Sequence, residues 1–156
     1  MAVTGIEARL YDALAAFVSE QAFSPALPVA YPNAGFAAPV ATANGSGVKK
    51  GDPLPYLAMS FIPNTADVFG VEWDSDVDHQ GLMQLSVFWP ARQGLVKPLQ
   101  IASQVAAAFA PGTKIDRNGL RIRIDRKPTV GGAVSESDLV QVPVTVSWRA
   151  FVPADA

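Results

Sequence analysis

The last third of the chain holds the tightest constraint. From Leu139 to Phe151 apolar and polar residues alternate: Val140, Val142, Val144, Val146 and Trp148 on one side, Gln141, Thr145, Ser147 and Arg149 on the other. Successive side chains of a strand point to opposite faces, so this run is a strand with one face in a core and a polar face opposite it. Pro143 falls on the polar side. Proline supplies no backbone donor, so an edge position or a bulge is expected there.

Shorter runs repeat the pattern. Tyr56 to Ile62 is an apolar run stopped by Pro63, and Val68 to Trp73 is rich in β-formers. Leu82 to Trp89 sets Met83, Leu85, Val87 and Trp89 against Gln84 and Ser86. Gly119 to Lys127 sets Leu120, Ile122 and Ile124 against Arg121, Arg123 and Asp125. Asp74 to Gly81 is expected to be a polar turn, and residues 128–138, with Pro128 and Gly131-Gly132, a loop. Two segments change to helical spacing. Ile6, Leu10, Leu14, Phe17 and Val18 predict a helix over residues 5–20, with Thr4 and Glu7 forming a capping box. Leu99, Ala102, Val105, Ala106 and Phe109 predict a second over residues 95–110, with Pro98 in the first turn and Pro111-Gly112 ending it. Between the first helix and the first strand, residues 24–55 carry six prolines and four glycines, and Asn44 to Asp52 is expected to be a mobile loop tip. The order of elements gives an α+β fold: an antiparallel β-sheet with two main helices packed on one face, a two-layer sandwich.

The length, 156 residues, is that of one domain, since domains run to ~100–200. Only 17% of residues are charged, against a usual ~25%, which suggests a surface partly covered by partners. The net charge of -2 gives no global pull toward nucleic acid or anionic lipid. With no cysteine, thiolate chemistry, disulfides and Cys-zinc sites are excluded. No signal peptide or long apolar span is evident, so a soluble chain is expected, cytoplasmic or part of an assembly built there.

Catalytic constellations are weak. His79 is the sole histidine and lies among aspartates with no G-x-S-x-G elbow anywhere, so a solvated turn histidine is expected rather than a general base. Asp74, Asp76 and Asp78 have the D-x-D-x-D spacing of a calcium loop, but His79 and Leu85 stand where glycine and glutamate are needed. Gly45 to Lys50 lacks the spacing of a phosphate-binding loop. No catalytic, cofactor-binding or metal-binding residue is assigned, and no cofactor is expected. The one charge concentration is basic: Arg117, Arg121, Arg123, Arg126 and Lys127, with Arg121 and Arg123 on one strand face. It suits a solvated or cross-strand paired face, or a contact with a partner.

Taken in order, the small motifs carry more than any one alone. The opening helix IEARLYDAL (Ile6 to Leu14) is followed by AYPNAGF (Ala30 to Phe36) and PYLAMSF (Pro55 to Phe61). GLMQLSVFWPARQG (Gly81 to Gly94), AAAFAPGTKI (Ala106 to Ile115), RIRIDRKPTVGG (Arg121 to Gly132) and VPVTVSWRA (Val142 to Ala150) complete the series, which spans roughly residues 6–152. In this order the chain resembles the tail terminator, or tail completion, proteins of long-tailed bacteriophages and related tail-like particles. It departs from them in the Gly/Lys loop at 44–52 and in the His-Gln pair before Gly81, where a basic residue is expected.

The resemblance implies a structural virion protein with no catalytic residues. Such proteins form a homo-oligomer, a hexameric ring on the last ring of the tail tube. The ring stops tube growth and offers a surface to the head-side connector protein. The implied location is the head-proximal end of the virion tail, after assembly in the host cytoplasm. DNA would pass through the lumen without specific binding, and no membrane is involved. The 36–55 loop, with Lys49 and Lys50, and the basic strand, with Arg121, Arg123, Arg126 and Lys127, are the candidate partner and ring contacts. A head–tail connector or neck adaptor of the same kind of particle, and a small ligand-binding α+β domain, are the competing readings.

Overall fold

A computed structural model describes residues 3–64, 66–68 and 76–153. In chain order the elements are α1 (Ile6–Glu20), β1 (Val29–Ala30), β2 (Tyr56–Pro63), β3 (Asp67–Val68), β4 (Val77–Pro90), α2 (Val96–Ala108), β5 (Lys114–Arg117), β6 (Leu120–Arg123), β7 (Thr129–Val130), β8 (Val134–Ser135) and β9 (Leu139–Val152). They make an α+β fold around one curled sheet in the order β1-β2-β4-β9-β6-β5. β3 adds to β4, and β7 and β8 add to β9. The sheet is mixed rather than wholly antiparallel, because β1 runs parallel to β2.

The two long strands are its frame. β4 and β9 pair antiparallel from Val77 opposite Val152 to Pro90 opposite Leu139. That register sets Met83, Leu85, Val87 and Trp89 beside Val140 to Trp148 on one face, and all of these side chains are buried. Leu10, Ala13, Leu14 and Val18 of α1 and Ile101, Ala102, Val105 and Ala106 of α2 join the same hydrophobic cluster. Each fully buried Leu, Ile or Val stabilises the fold by about 1.5–3 kcal/mol relative to leaving it in water, so this face dominates the energetics.

The outer face is polar and half-buried. Gln141 Nε2 donates to Ser86 Oγ at 2.9 Å, which satisfies the buried Ser86 side chain. Pro143 lies opposite Ser86 in a strand flanked on both sides, so the edge position expected of it does not occur. Its carbonyl accepts from Gly131 N–H at 2.8 Å, which directs Pro143 away from β4 and toward the gap between β7 and β8. The missing donor thus falls where the ladder is already interrupted.

Several local expectations are corrected. α1 has Gly5 at its N-cap with no side-chain cap hydrogen bond, so the Thr4–Glu7 capping box does not form. Residues 77–81 are not a turn: β4 starts at Val77 and carries Asp78, His79 and Gln80 in register with Phe151, Ala150 and Arg149. The expected strand Val68 to Trp73 lies, apart from Val68, outside the described residues. The basic strand is half of a hairpin whose other half, β5, the periodicity did not separate. Asn118 and Gly119 connect the halves at φ 57° and 75°, a backbone that favours this residue pair. The proline-rich segment is also more regular than expected. Val40 and Pro53 bridge antiparallel, as do Gly45 and Val48, and Leu54 N–H donates to Pro39 O at 3.0 Å. The expected mobile tip is closed by side chains: Lys49 N–H donates to Asp52 Oδ2 and Lys50 N–H to Asn44 Oδ1.

Candidate partner-contact surface

The positive charge concentrated between residues 117 and 127 does not act as one stripe. Arg117 belongs to a clamp between α1 and the β5–β6 turn. Its Nε donates to Asp12 Oδ2 at 2.9 Å, Asn118 Nδ2 donates to the same oxygen at 2.8 Å, and Arg9 donates through two nitrogens to Asn118 O. The hydrogen bonds from Asn118 and then Arg117 hold the Asp12 carboxyl below the usual carboxylate range. A depressed carboxylate pKa stabilises the fold above the unfolded value of about 3.9, and this contribution is lost as pH falls through the folded value. Asp12→Asn should therefore melt below wild type at neutral pH, with the gap closing at more acid pH. Thermal melts from pH 7 to pH 2.5 check this, and a gap constant across the range would refute it.

Arg121 is committed too. Its Nε and Nη2 meet both oxygens of Asp116 across the β5–β6 hairpin, at 2.6 and 3.0 Å. The bidentate pair raises the Arg121 pKa and lowers that of Asp116. Arg123, on the same face, is different. It pairs directly with Arg149 of β9, and its guanidinium carbon sits 4.9 Å from the centre of the Phe151 ring. Arg149 lies 6.0 Å from that ring, contacts Asp78 Oδ1 at 3.3 Å and donates to Gln80 Oε1 at 3.4 Å. Together with Arg126, these arginines border a polar depression of about 280 Å³ on the outer face, also lined by Asn64, Gln80, Leu82, Asp125 and Ser147. Lys127 is exposed next to it in sequence.

Lys49 and Lys50 are nowhere near this cluster. Their loop borders a groove of about 400 Å³ with Trp89, Pro90, Arg92, Ser137 and Asp138, at the Leu139 end of β9. Ten residues of strand separate Leu139 from Arg149, roughly 30 Å. Beside that groove the first turn of α2 leaves Leu95, Val96 and Leu99 exposed, Val96 at 71%. Phe36 fixes the loop to the outer face through a tilted contact with Tyr56, ring centres 5.3 Å apart, and Tyr56 stacks at 4.8 Å on Phe88. The candidate contacts thus form two surfaces at opposite ends of one sheet. Arg149 and Phe151 are not among the contacts expected from sequence, and Gln80 figures there only as a departure from the family pattern. The alternation showed Arg149 on the polar face, but its meeting with Arg123 depends on a register between strands 26 residues apart in the chain, counting Arg123 to Arg149.

Neither weak motif gains geometry. His79 is a half-buried strand residue opposite Ala150 rather than a solvated turn histidine. Asp78 faces Arg149, and Asp74 lies outside the described residues. Among the described residues no group of three His, Asp or Glu is placed to hold a metal ion, and no helix is long and apolar enough to cross a membrane.

The chain is thus a mixed sheet with two helices packed into the core on its apolar face, and with a charged depression and an apolar-edged groove at its two ends. Comparison with known proteins gives the family. The model of the phage tail terminator protein family matches residues 9–148, and the chain belongs to that family. It is thus a structural protein of a phage tail. One solved structure, of a protein with no stated function, shares the fold with a TM-score of 0.64 at 20% identity, covering 89% of this chain and 94% of its own. No curated protein matches significantly.

Proposed function

We propose that this chain is the ring-forming terminator of its tail. Copies close into a ring, six by the family expectation, which seats on the last ring of the tail tube and stops its polymerisation. The exposed side of the ring then receives the head-side connector. The observation that carries this reading is the terminator family match over residues 9–148. The physical argument is closure: a head-to-tail contact between unlike patches makes a ring when its rotation divides a full turn. Surfaces at opposite ends of one sheet suit such a contact, and the ring then has two unlike faces, only one of which fits the tube. No catalytic group takes part, and DNA passes through the lumen without specific binding.

The test is electron microscopy and mass photometry of the protein alone and mixed with the tube subunit of the same particle. Six-fold rings, or tubes shortened and capped at one end, are expected. A protein that ignores the tube but binds the portal complex would make it a neck adaptor.

A further inference from the structure

Arg123 and Arg149 pose a problem that the fold does not resolve. They are direct cross-strand neighbours, and like charges placed so oppose folding. Asp78 offsets the charge of Arg149, which also donates to Gln80 Oε1. Neither Arg123 nor Arg126 makes a salt bridge among the described residues, although both border the same depression. Two guanidiniums border this hollow, and among the described residues neither is paired with its one lining carboxylate, Asp125, so both are left to meet an anion from outside.

We infer that this depression is a socket for a carboxylate, presented by an acidic segment of a partner protein in the tail. The placement of that partner rests on the terminator reading above; the chemistry of the socket does not. A guanidinium matches a carboxylate through two parallel hydrogen bonds. The Phe151 ring under Arg123 holds its plane, so less freedom is lost on binding. Protein is favoured over nucleic acid for two reasons. Asp125 lines the same hollow and Asp78 stands behind Arg149, so the local field is only weakly positive, whereas backbone phosphates are bound by several uncompensated cations together. The lip is also apolar: Leu82 lines it, and its cross-strand partner Ile62 is 49% exposed, which suits a side chain flanking the acid. Arg121 shares the face but is held by Asp116, so it is not part of the socket.

The experiment titrates the full-length protein at low salt with three probes: a peptide alternating Glu and Leu, the same peptide with Gln for Glu, and duplex DNA of matched charge. The Glu peptide should bind, and the Gln peptide should not. Arg123→Gln and Arg126→Gln should each weaken binding about tenfold. Arg123→Lys should fall between, and Arg121→Gln should match wild type. The variants should melt within about 2 °C of wild type, since Arg126 is exposed and half-buried Arg123 loses its contact with Phe151 but also its opposition to Arg149. Unchanged binding by Arg123→Gln, or tighter binding of DNA than of the Glu peptide, overturns the socket. Peptide binding by a wild-type protein that fails to cap tubes overturns the terminator reading instead and supports the socket.

Discussion

Phe109→Ala should lower the stability of the protein by about 3–5 kcal/mol. Phe109 follows directly on α2 and is fully buried, one of the largest side chains to be so. Its ring meets that of Phe17 on α1 at 5.1 Å and 60°, a tilted arrangement favoured by the ring quadrupoles. The residue is therefore packed between the two helices, and truncation leaves a cavity that both would have to move to fill. Replacement by alanine removes the transfer energy of the ring and adds the cost of that cavity. The melting temperature should fall on the order of 10 °C, with an unchanged denaturant m-value if the unfolded surface is the same. Phe109→Leu should cost clearly less, because most of the volume is kept. A loss below about 1 kcal/mol for the alanine variant would mean that the helices close on the gap freely, and that they are not fixed against each other there.

What was legible in the sequence follows from range. The alternation of β4 and β9 and the stripes of both helices are local periodicities, and their buried faces are largely as read; the exception is Leu99, expected in the α2 stripe but 39% exposed, while Ile101 takes the buried place. Elements whose signals compete were misread. The capping residues Thr4 and Glu7 are a correct local pattern, but the chain enters α1 through Gly5 at φ 88°, which takes the N-cap position instead. The aspartates before Gly81 have turn composition, yet pairing with the last residues of β9 extends β4 to Val77, a tertiary override of local preference. The Asn118-Gly119 pair did mark the hairpin between β5 and β6, and a reading weighted toward that pair would have split the basic strand there. The contact surface was half legible. Composition located Arg121, Arg123 and Arg126, but only register shows that Asp116 occupies Arg121 and that Arg149 and Phe151 join Arg123. Partners from distant strands leave no periodic trace.

Gly81→Ala joins the fold to that surface and should cost about 3 kcal/mol. A Cβ at this position would stand 2.5 Å from the Ile62 carbonyl oxygen and 2.6 Å from Trp148 Cζ2. Neither neighbour can yield easily. The oxygen belongs to the β2 backbone paired with β4, and the Trp148 ring is buried and stacked at 5.6 Å on Phe61. The indole N–H has no hydrogen-bond partner among the described residues, so packing alone places the ring. The added methyl must push β4 away from β2 and the ring together, and the melting temperature should drop by roughly 6–12 °C. Trp148→Phe in the same chain removes one of the two clashes. The double variant should therefore be less destabilised than the sum of its parts, a coupling that a double-mutant cycle reads directly. The consequence extends to the arginines. Gln80 and Arg149 are the chain neighbours of Gly81 and Trp148 and pair with each other across β4 and β9. A shift at Gly81 moves the frame on which Arg149 faces Arg123, so the variant should lose acidic-peptide binding even at temperatures where it is fully folded. Intact binding in a folded but destabilised Gly81→Ala protein would show that the arginines hold their geometry without the close approach of β2, β4 and β9 at this residue.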